Sequence, residues 1–132
     1  MNMWTVDQLV EILSKNDQWK IEQTDQTIII RNQDGVSAYV ALAGDQILVE
    51  APLFPMAMVT DVAKLNDTIL RTHEMFPLTN ISIHTVDGDD YYIAFGSLSS
   101  QSKQESILIE VATLFVNVEG FLEMYQPLLT EA

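Results

Sequence analysis

Three carboxylates within four residues, Asp87, Asp89 and Asp90, form the densest group of hard ligands in the chain. Calcium takes six to eight oxygens, so a cation site would begin with such a group. The glycine and glutamate spacing of a calcium loop is missing, however, and Asp87-Gly88 stands between two alternating runs. That dipeptide is what a two-residue hairpin turn demands, and the turn is the better reading. His73 and His84 are the only imidazoles, and neither has a second histidine or a carboxylate at zinc spacing along a helix. They read as structural or exposed groups, and no metal is assigned. The segment Gly96-Ser97-Leu98-Ser99-Ser100-Gln101-Ser102 joins a predicted strand to a predicted helix, where free backbone amides can receive a phosphate or carboxylate. It lacks a lysine at phosphate-loop spacing and the second glycine of a nucleophile elbow, and the only nearby base is Lys103. No catalytic residue and no cofactor follow from these patterns. The competing reading is a small enzyme or ligand-binding protein with its site at Gly96 to Ser102, joined by Tyr91 or His84 where the fold brings them near.

A surface for another polypeptide has stronger support. Met56, Met58 and Val59 stand beside Phe54, and methionine is adaptable enough to serve surfaces that accept varied partners. Val62, Leu65, Ile69 and Phe76 then fall on one side of a predicted helix. Phe54, Met56, Met58, Val62, Leu65 and Ile69 are the expected dimer or partner interface, around the second helix or an exposed strand edge.

Charge restricts the partner. Nineteen acidic side chains against six basic ones give 132 residues a net charge of -13. Such a field repels phosphate backbones and anionic membranes, which argues against nucleic acid, and attracts basic partners. Residues 74 to 132 carry nine acids and one base, Lys103, so the second half is expected to present an acidic face. Hydrophobic residues make up 48% of the chain and charged residues only 19%, a thin polar surface for the core it must cover. A single domain spanning 1-132 that shares some apolar surface with a homodimer partner or a protein client is the expectation. Cysteine is absent, which removes disulfides and thiolate metal sites together. The opening residues Met1-Asn2-Met3-Trp4-Thr5-Val6-Asp7 lack a basic region followed by an apolar run, and the longest apolar clusters fall short of the ~20 residues that a bilayer needs. A cytoplasmic protein without membrane insertion is expected.

The elements that would position these residues are marked by period and caps. Thr5 and Gln8 offer a capping box, with Trp4 and Leu9 as its hydrophobic staple, and Val6, Leu9, Val10, Ile12 and Leu13 repeat at helical spacing toward an asparagine cap at Asn16. Alternation then takes over: Trp19 to Gln23, Thr27 to Arg31, Val36 to Ala43 and Gln46 to Glu50 read as strands, with Ile28-Ile29-Ile30 suggesting burial on both faces. Pro52 and Pro55 are expected to end pairing, and Thr60 to cap the second helix, with Asp61 and Arg71 at its ends. Pro77 stops that helix, and Asn80 to Val86 and Asp90 to Ser97 form a second hairpin. Ser102 and Glu105 offer another capping box, opening a helix to Gln126 whose Ile107, Val111, Leu114, Val118, Phe121 and Tyr125 step by four and three. Leu108, Ala112, Phe115, Val116 and Leu122 widen its apolar arc, so core and partner can both use it. The fold class is α+β: a twisted antiparallel sheet of about five to six strands with three helices, in the order α-β-β-β(-β)-α-β-β-α.

This order in an acidic chain resembles the class I chaperones of type III secretion, small homodimers that bind unfolded effector segments. A closer likeness runs from Asn66 through Pro77-Leu78 to Tyr91-Tyr92-Ile93-Ala94-Phe95-Gly96-Ser97-Leu98-Ser99-Ser100 and Glu110-Val111-Ala112-Thr113-Leu114-Phe115-Val116-Asn117-Val118. That stretch resembles the YjfI family, small acidic bacterial cytoplasmic proteins with a chaperone-like fold. The resemblance implies a link to membrane-stress machinery, since the family is often encoded beside a homologue of phage shock protein A. It also implies that the first and third helices cover one sheet face while the second lies on the other side for dimer contact. The leading expectation is a noncatalytic, chaperone-like binding protein.

Overall fold

The structure is a computed structural model, and it describes residues 3–130. Its elements in chain order are α1 (Val6–Leu13), β1 (Lys20–Thr24), β2 (Thr27–Arg31), β3 (Ser37–Ala43), β4 (Gln46–Pro55), α2 (Val62–Thr72), β5 (Asn80–Val86), β6 (Asp89–Ser99) and α3 (Gln104–Tyr125), with short 3-10 turns at Met56–Met58, His73–Met75 and Gln126–Leu128. The six strands make one antiparallel sheet in the order β1-β2-β3-β4-β6-β5. The first four form a meander. After α2 the chain returns as β5 at the far edge, and β6 fills the place between β5 and β4. The α+β class and the element order agree with the sequence reading.

Because side chains alternate along a strand, register decides which residues share a face. The pairs Ile28↔Val40, Val40↔Val49, Val49↔Gly96 and Ala51↔Ala94 place Ile28, Ile30, Ala38, Val40, Ile47, Val49, Ala51 and Ala94 on one side, where all are buried. Leu9 and Leu13 of α1, Leu65 and Ile69 of α2, and Ile107, Val111, Leu114, Val118, Phe121 and Tyr125 of α3 join them in a single core. All three helices therefore lie on one face, which corrects the expectation that α2 sits opposite the other two. Two hydrogen bonds fix it there: the Tyr92 hydroxyl donates to Asn66 Oδ1 (2.6 Å), and the Thr72 and Tyr125 hydroxyls meet at 2.9 Å. The other sheet face carries Ile29, Leu48 and Phe95, half-buried, and Tyr39, exposed. Ile28 and Ile30 are buried but Ile29 is not, so β2 is covered on one side only.

Local signals were obeyed where nothing competed with them. Thr5 forms the expected box with Gln8, and Asp87 (φ 52°) and Gly88 (φ 87°) take the left-handed conformations of a primed hairpin turn between Val86 and Asp89. Elsewhere tertiary partners prevailed. Ser14 rather than Asn16 ends α1, and the Asn16 side chain instead accepts a bond from the Gln18 amide (2.9 Å). β4 continues through Pro52 to Pro55, with a register shift between Pro52 and Phe54. Proline is tolerated because β3 pairs with β4 only as far as Glu50, so beyond it one side of β4 has no ladder to interrupt. Asp61, not Thr60, caps α2 by accepting from the Lys64 amide (3.1 Å), while the Thr60 hydroxyl donates to the Leu128 carbonyl (3.0 Å). Lys103 rather than Ser102 precedes α3 and makes no side-chain cap, because the Ser102 carbonyl accepts from the Trp4 indole (2.7 Å) and its amide bonds to Ser99.

The caps give a paired test. Thr5→Ala should lower stability by about 1 kcal/mol, the usual cost of losing an N-cap, whereas Ser102→Ala should change it by less than about 0.5 kcal/mol. Urea unfolding of both variants measures the difference.

Candidate protein-binding surface

Ile81 and Ile83 point from β5 toward the helical face of the sheet, since they pair with Ala94 and Tyr92. β5 is an outer strand, however, and α2 covers only its inner part. Leu70 follows Ile69 on α2, one position off the buried stripe, and is 78% exposed; Ile83 is 44% exposed. Together with Asn66, Ile69, Ile81, Ser82 and Tyr92 they line a groove of about 300 Å³ between α2 and β5. Burial pushes the Tyr92 phenol up from its ordinary pKa, and its hydroxyl donates to Asn66, tying that wall of the groove to α2. Met75 and Leu78, both exposed, stand on the connection from α2 to β5. Among the described residues, the outer edge of β5 has no neighbour in the sheet, and the strand carries no lysine, proline or bulge, the devices that normally deter strand pairing. On the opposite edge, β1 presents Lys20 and Glu22.

The interface residues expected from sequence divide in two. Leu65 is fully buried, and Phe54 and Ile69 nearly so, inside the chain's own core. Met56, Met58 and Val62 are half-buried and keep some surface. Sequence reasoning missed Leu70, whose only signal is an Ile-Leu doublet in a helix that otherwise shows a single apolar stripe.

The Gly96 to Ser102 corner is not a loop. Gly96 to Ser99 pair with β4 as part of β6, Ser100 is buried, and its amide and carbonyl bond Asp45 (2.8 Å) and Trp4 (3.1 Å). Tyr91 lies opposite His84, five positions along the strand from Gly96, or roughly 17 Å at the rise of an antiparallel strand. The fold does not bring the two ends together. His84 contacts the Ser82 hydroxyl (3.1 Å) and has Glu50 Oε2 3.9 Å from Nδ1, and His73 Nε2 accepts from the Ile81 amide (3.2 Å). Both histidines are therefore occupied locally. Among the described residues, Asp87, Asp89 and Asp90 form no three-ligand metal group, and Asp90 accepts from the Thr85 hydroxyl (2.6 Å).

Gly96 instead has a steric duty. A Cβ there would lie 2.9 Å from Glu110 Cδ and 3.2 Å from the Leu78 carbonyl oxygen, and closest of all to Glu110 Oε2. Glu110 is 5% exposed, its Oε2 has no hydrogen-bond partner among the described residues, and burial raises its pKa. One turn pair further along α3, Asn117 donates to the Pro77 carbonyl (2.9 Å) and the Thr79 hydroxyl (2.8 Å). A polar seam thus joins α3 to the connection that leads into β5.

Residues 3–129 match the family model described as "Uncharacterized protein conserved in bacteria (DUF2170)". The chain belongs to that family. The Escherichia coli (strain K12) protein YjfI is 27% identical over 106 residues, covering 79% of this chain and 80% of that protein. Among solved structures, YbjN, a putative transcription regulator from E. coli, matches with a TM-score of 0.74 at 17% identity, over 98% of this chain and all of that one. The HopA1-SchA chaperone-effector complex provides a match with a TM-score of 0.65 at 14% identity, over 87% of this chain and 90% of that one. This DUF2170 member therefore has the chaperone-like fold that its sequence resembles.

Two measurements check the placement of these groups. Leu65→Asp should abolish cooperative unfolding, because it puts a charge into a fully buried core position, while Leu70→Asp should leave the melting temperature close to wild type; circular dichroism melts of both decide it. Glu110→Gln should gain about 1 kcal/mol at pH 7, because an amide relieves the desolvated carboxylate and can donate to a carbonyl. A raised carboxyl pKa means that the folded state holds its proton longer than the unfolded chain, so the destabilisation begins near the ordinary pKa of 4.5, grows until the folded value is reached and is constant above it. The advantage of Glu110→Gln should accordingly vanish at pH 4, as read by urea titrations at the two pH values.

Proposed function

We propose that the protein is a noncatalytic, chaperone-like adaptor that holds an extended apolar segment of another protein along β5. The observation that carries this reading is the unguarded edge of β5 beside the apolar groove lined by Leu70, Ile81 and Ile83. A client segment adding to that edge gains main-chain hydrogen bonds and places alternate side chains into the groove, the mode by which sheets capture extended peptides. Support comes from the fold shared with a chaperone in complex with its effector. Acidic groups on the flanking segments, Glu74, Asp87, Asp89 and Asp90, favour a client with basic flanks, whereas Asp67 is already paired with Arg71 (2.8 Å). The setting is cytoplasmic, and the client implied by the family resemblance is a phage-shock-protein-A-type membrane-stress protein.

The protein acts as a homodimer in this reading. Its contact uses the part of the expected interface that retains surface, Met56, Met58 and Val62, leaving the groove free. Val62→Asp should then turn a two-chain particle into a single chain in light scattering, and an unchanged particle overturns the contact.

The capture itself is tested by pull-down from native cytoplasm at low and high salt. Wild type should retain a client at high salt, and Leu70→Asp with Ile83→Asp should lose at least ten-fold of it while remaining folded. Equal retention by the double variant removes the β5 groove from the function.

A further inference from the structure

We propose that the outward side of α3, with the cleft it forms against α1, receives a basic amphipathic helix of a partner protein. α3 packs over β4 and β6, and its cleft opens toward α1, which packs on β1 and β2 at the other end of the sheet from β5. Along α3, Ile109 is 56% and Val116 67% exposed, and Ala112 between them is exposed as well. Spacing of three and four residues lines them up as a seam on one side of the helix, the spacing by which one helix packs on another. The small Ala112 at the middle allows a second backbone to approach closely. Beside the seam, Ile12 and Trp19 face Leu108 across a cleft of about 380 Å³, with Lys15 and Asn16 at its α1 rim.

The charges on the same side select the occupant. Glu105, Glu119 and Glu123 share the seam's side of α3 by helical spacing and are exposed, and no lysine or arginine lies between Gln104 and Tyr125. A second copy of the chain does not fit. Packed antiparallel about Ala112, it would set Glu119 of one copy opposite Glu105 of the other, seven residues to either side. Packed parallel, it would set every glutamate against itself, and like charges so placed repel. An extended segment does not fit either, because α3 offers no free backbone groups to satisfy it. A helix satisfies its own backbone, and one with an apolar ridge flanked by lysine or arginine complements the seam and the glutamates beside it on α3, with its basic groups turned away from Lys15 at the α1 rim.

The probe is a synthetic leucine-lysine amphipathic helix of about 18 residues, long enough to hold its structure. Titrated into the full chain and followed by amide NMR, it should shift resonances of α3 and the end of α1 and leave those of β5 in place. Ile109→Asp and Val116→Asp should each weaken binding at least ten-fold. Replacing Glu105, Glu119 and Glu123 by glutamine should weaken it and flatten its salt dependence. Leu70→Asp should not affect it, so failure of the β5 reading and failure of this one are distinguishable. Shifts scattered over all acidic surfaces, binding unchanged in Ile109→Asp, no binding, or equal binding of a leucine-glutamate helix would each overturn the proposal.

Discussion

One-sided cover governs this molecule. Six strands about 4.8 Å apart make a sheet roughly 25 Å across, and a helix with its side chains is about 10 Å wide, so three helices suffice to span it only if each is long enough. They are not equal. α3 has 22 residues and reaches about 33 Å, whereas α1 with 8 and α2 with 11 reach only about 12 Å and 16 Å. The long central helix therefore makes the core, and the short ones leave parts of the flanks open. Leu70 and Ile83 at one flank, and the cleft between Ile12 and Leu108 at the other, are consequences of the same mismatch in length.

Acidic groups outnumber the single base beside each opening, Arg71 at one and Lys15 at the other, but the backbones of the two openings differ. At β5 the free strand edge offers amides and carbonyls, so it suits an extended chain. At α3 the backbone is closed on itself, so only side chains can be met. Charge sets the sign of the partner in both cases, while the local backbone sets its shape. An antiparallel sheet with one face covered also leaves Tyr39, Leu48 and Phe95 on the uncovered side. Their partial burial comes from neighbours on the same face, as expected when β-branched and aromatic residues shield one another across strands.

Much of this was legible in the order of residues because period and turn chemistry are local. The strand alternation, the Asp87-Gly88 turn, the Thr5 box and the stepping of Ile107 to Tyr125 each depend on neighbours within a few positions. What was not legible depends on contacts between distant segments. Ser102 has the right spacing to cap α3, yet the Trp4 indole, 98 positions away in the chain, takes its carbonyl and the helix begins one residue later. Pro52 should break a central strand, and fails to because β3 no longer pairs with β4 beyond Glu50. The burial of Leu65 could not be told from an interface by its helical stripe, since a stripe states that something covers it and not whose atoms do so. The steric duty of Gly96 was not legible because its real neighbour, Glu110, comes from another element.

That neighbour also explains why the glutamate within an apolar run is not a simple interruption. Glu110 and Asn117 lie seven residues apart on the same side of α3, and Asn117 reads the Pro77 carbonyl and the Thr79 hydroxyl. Leu78 between them holds a positive φ of 70°, an uncommon conformation for a branched side chain and one that surrounding contacts must maintain. A purely apolar α3 would bury more favourably at this point but could slide against the connection from α2 to β5. Directional bonds and the exact fit of Gly96 to a carboxylate fix that connection in one position, and with it the distance between Leu70 and Ile83. The width of the groove at β5 is thus set from beneath by polar groups in the core, at a cost in stability that a better-packed seam would not carry.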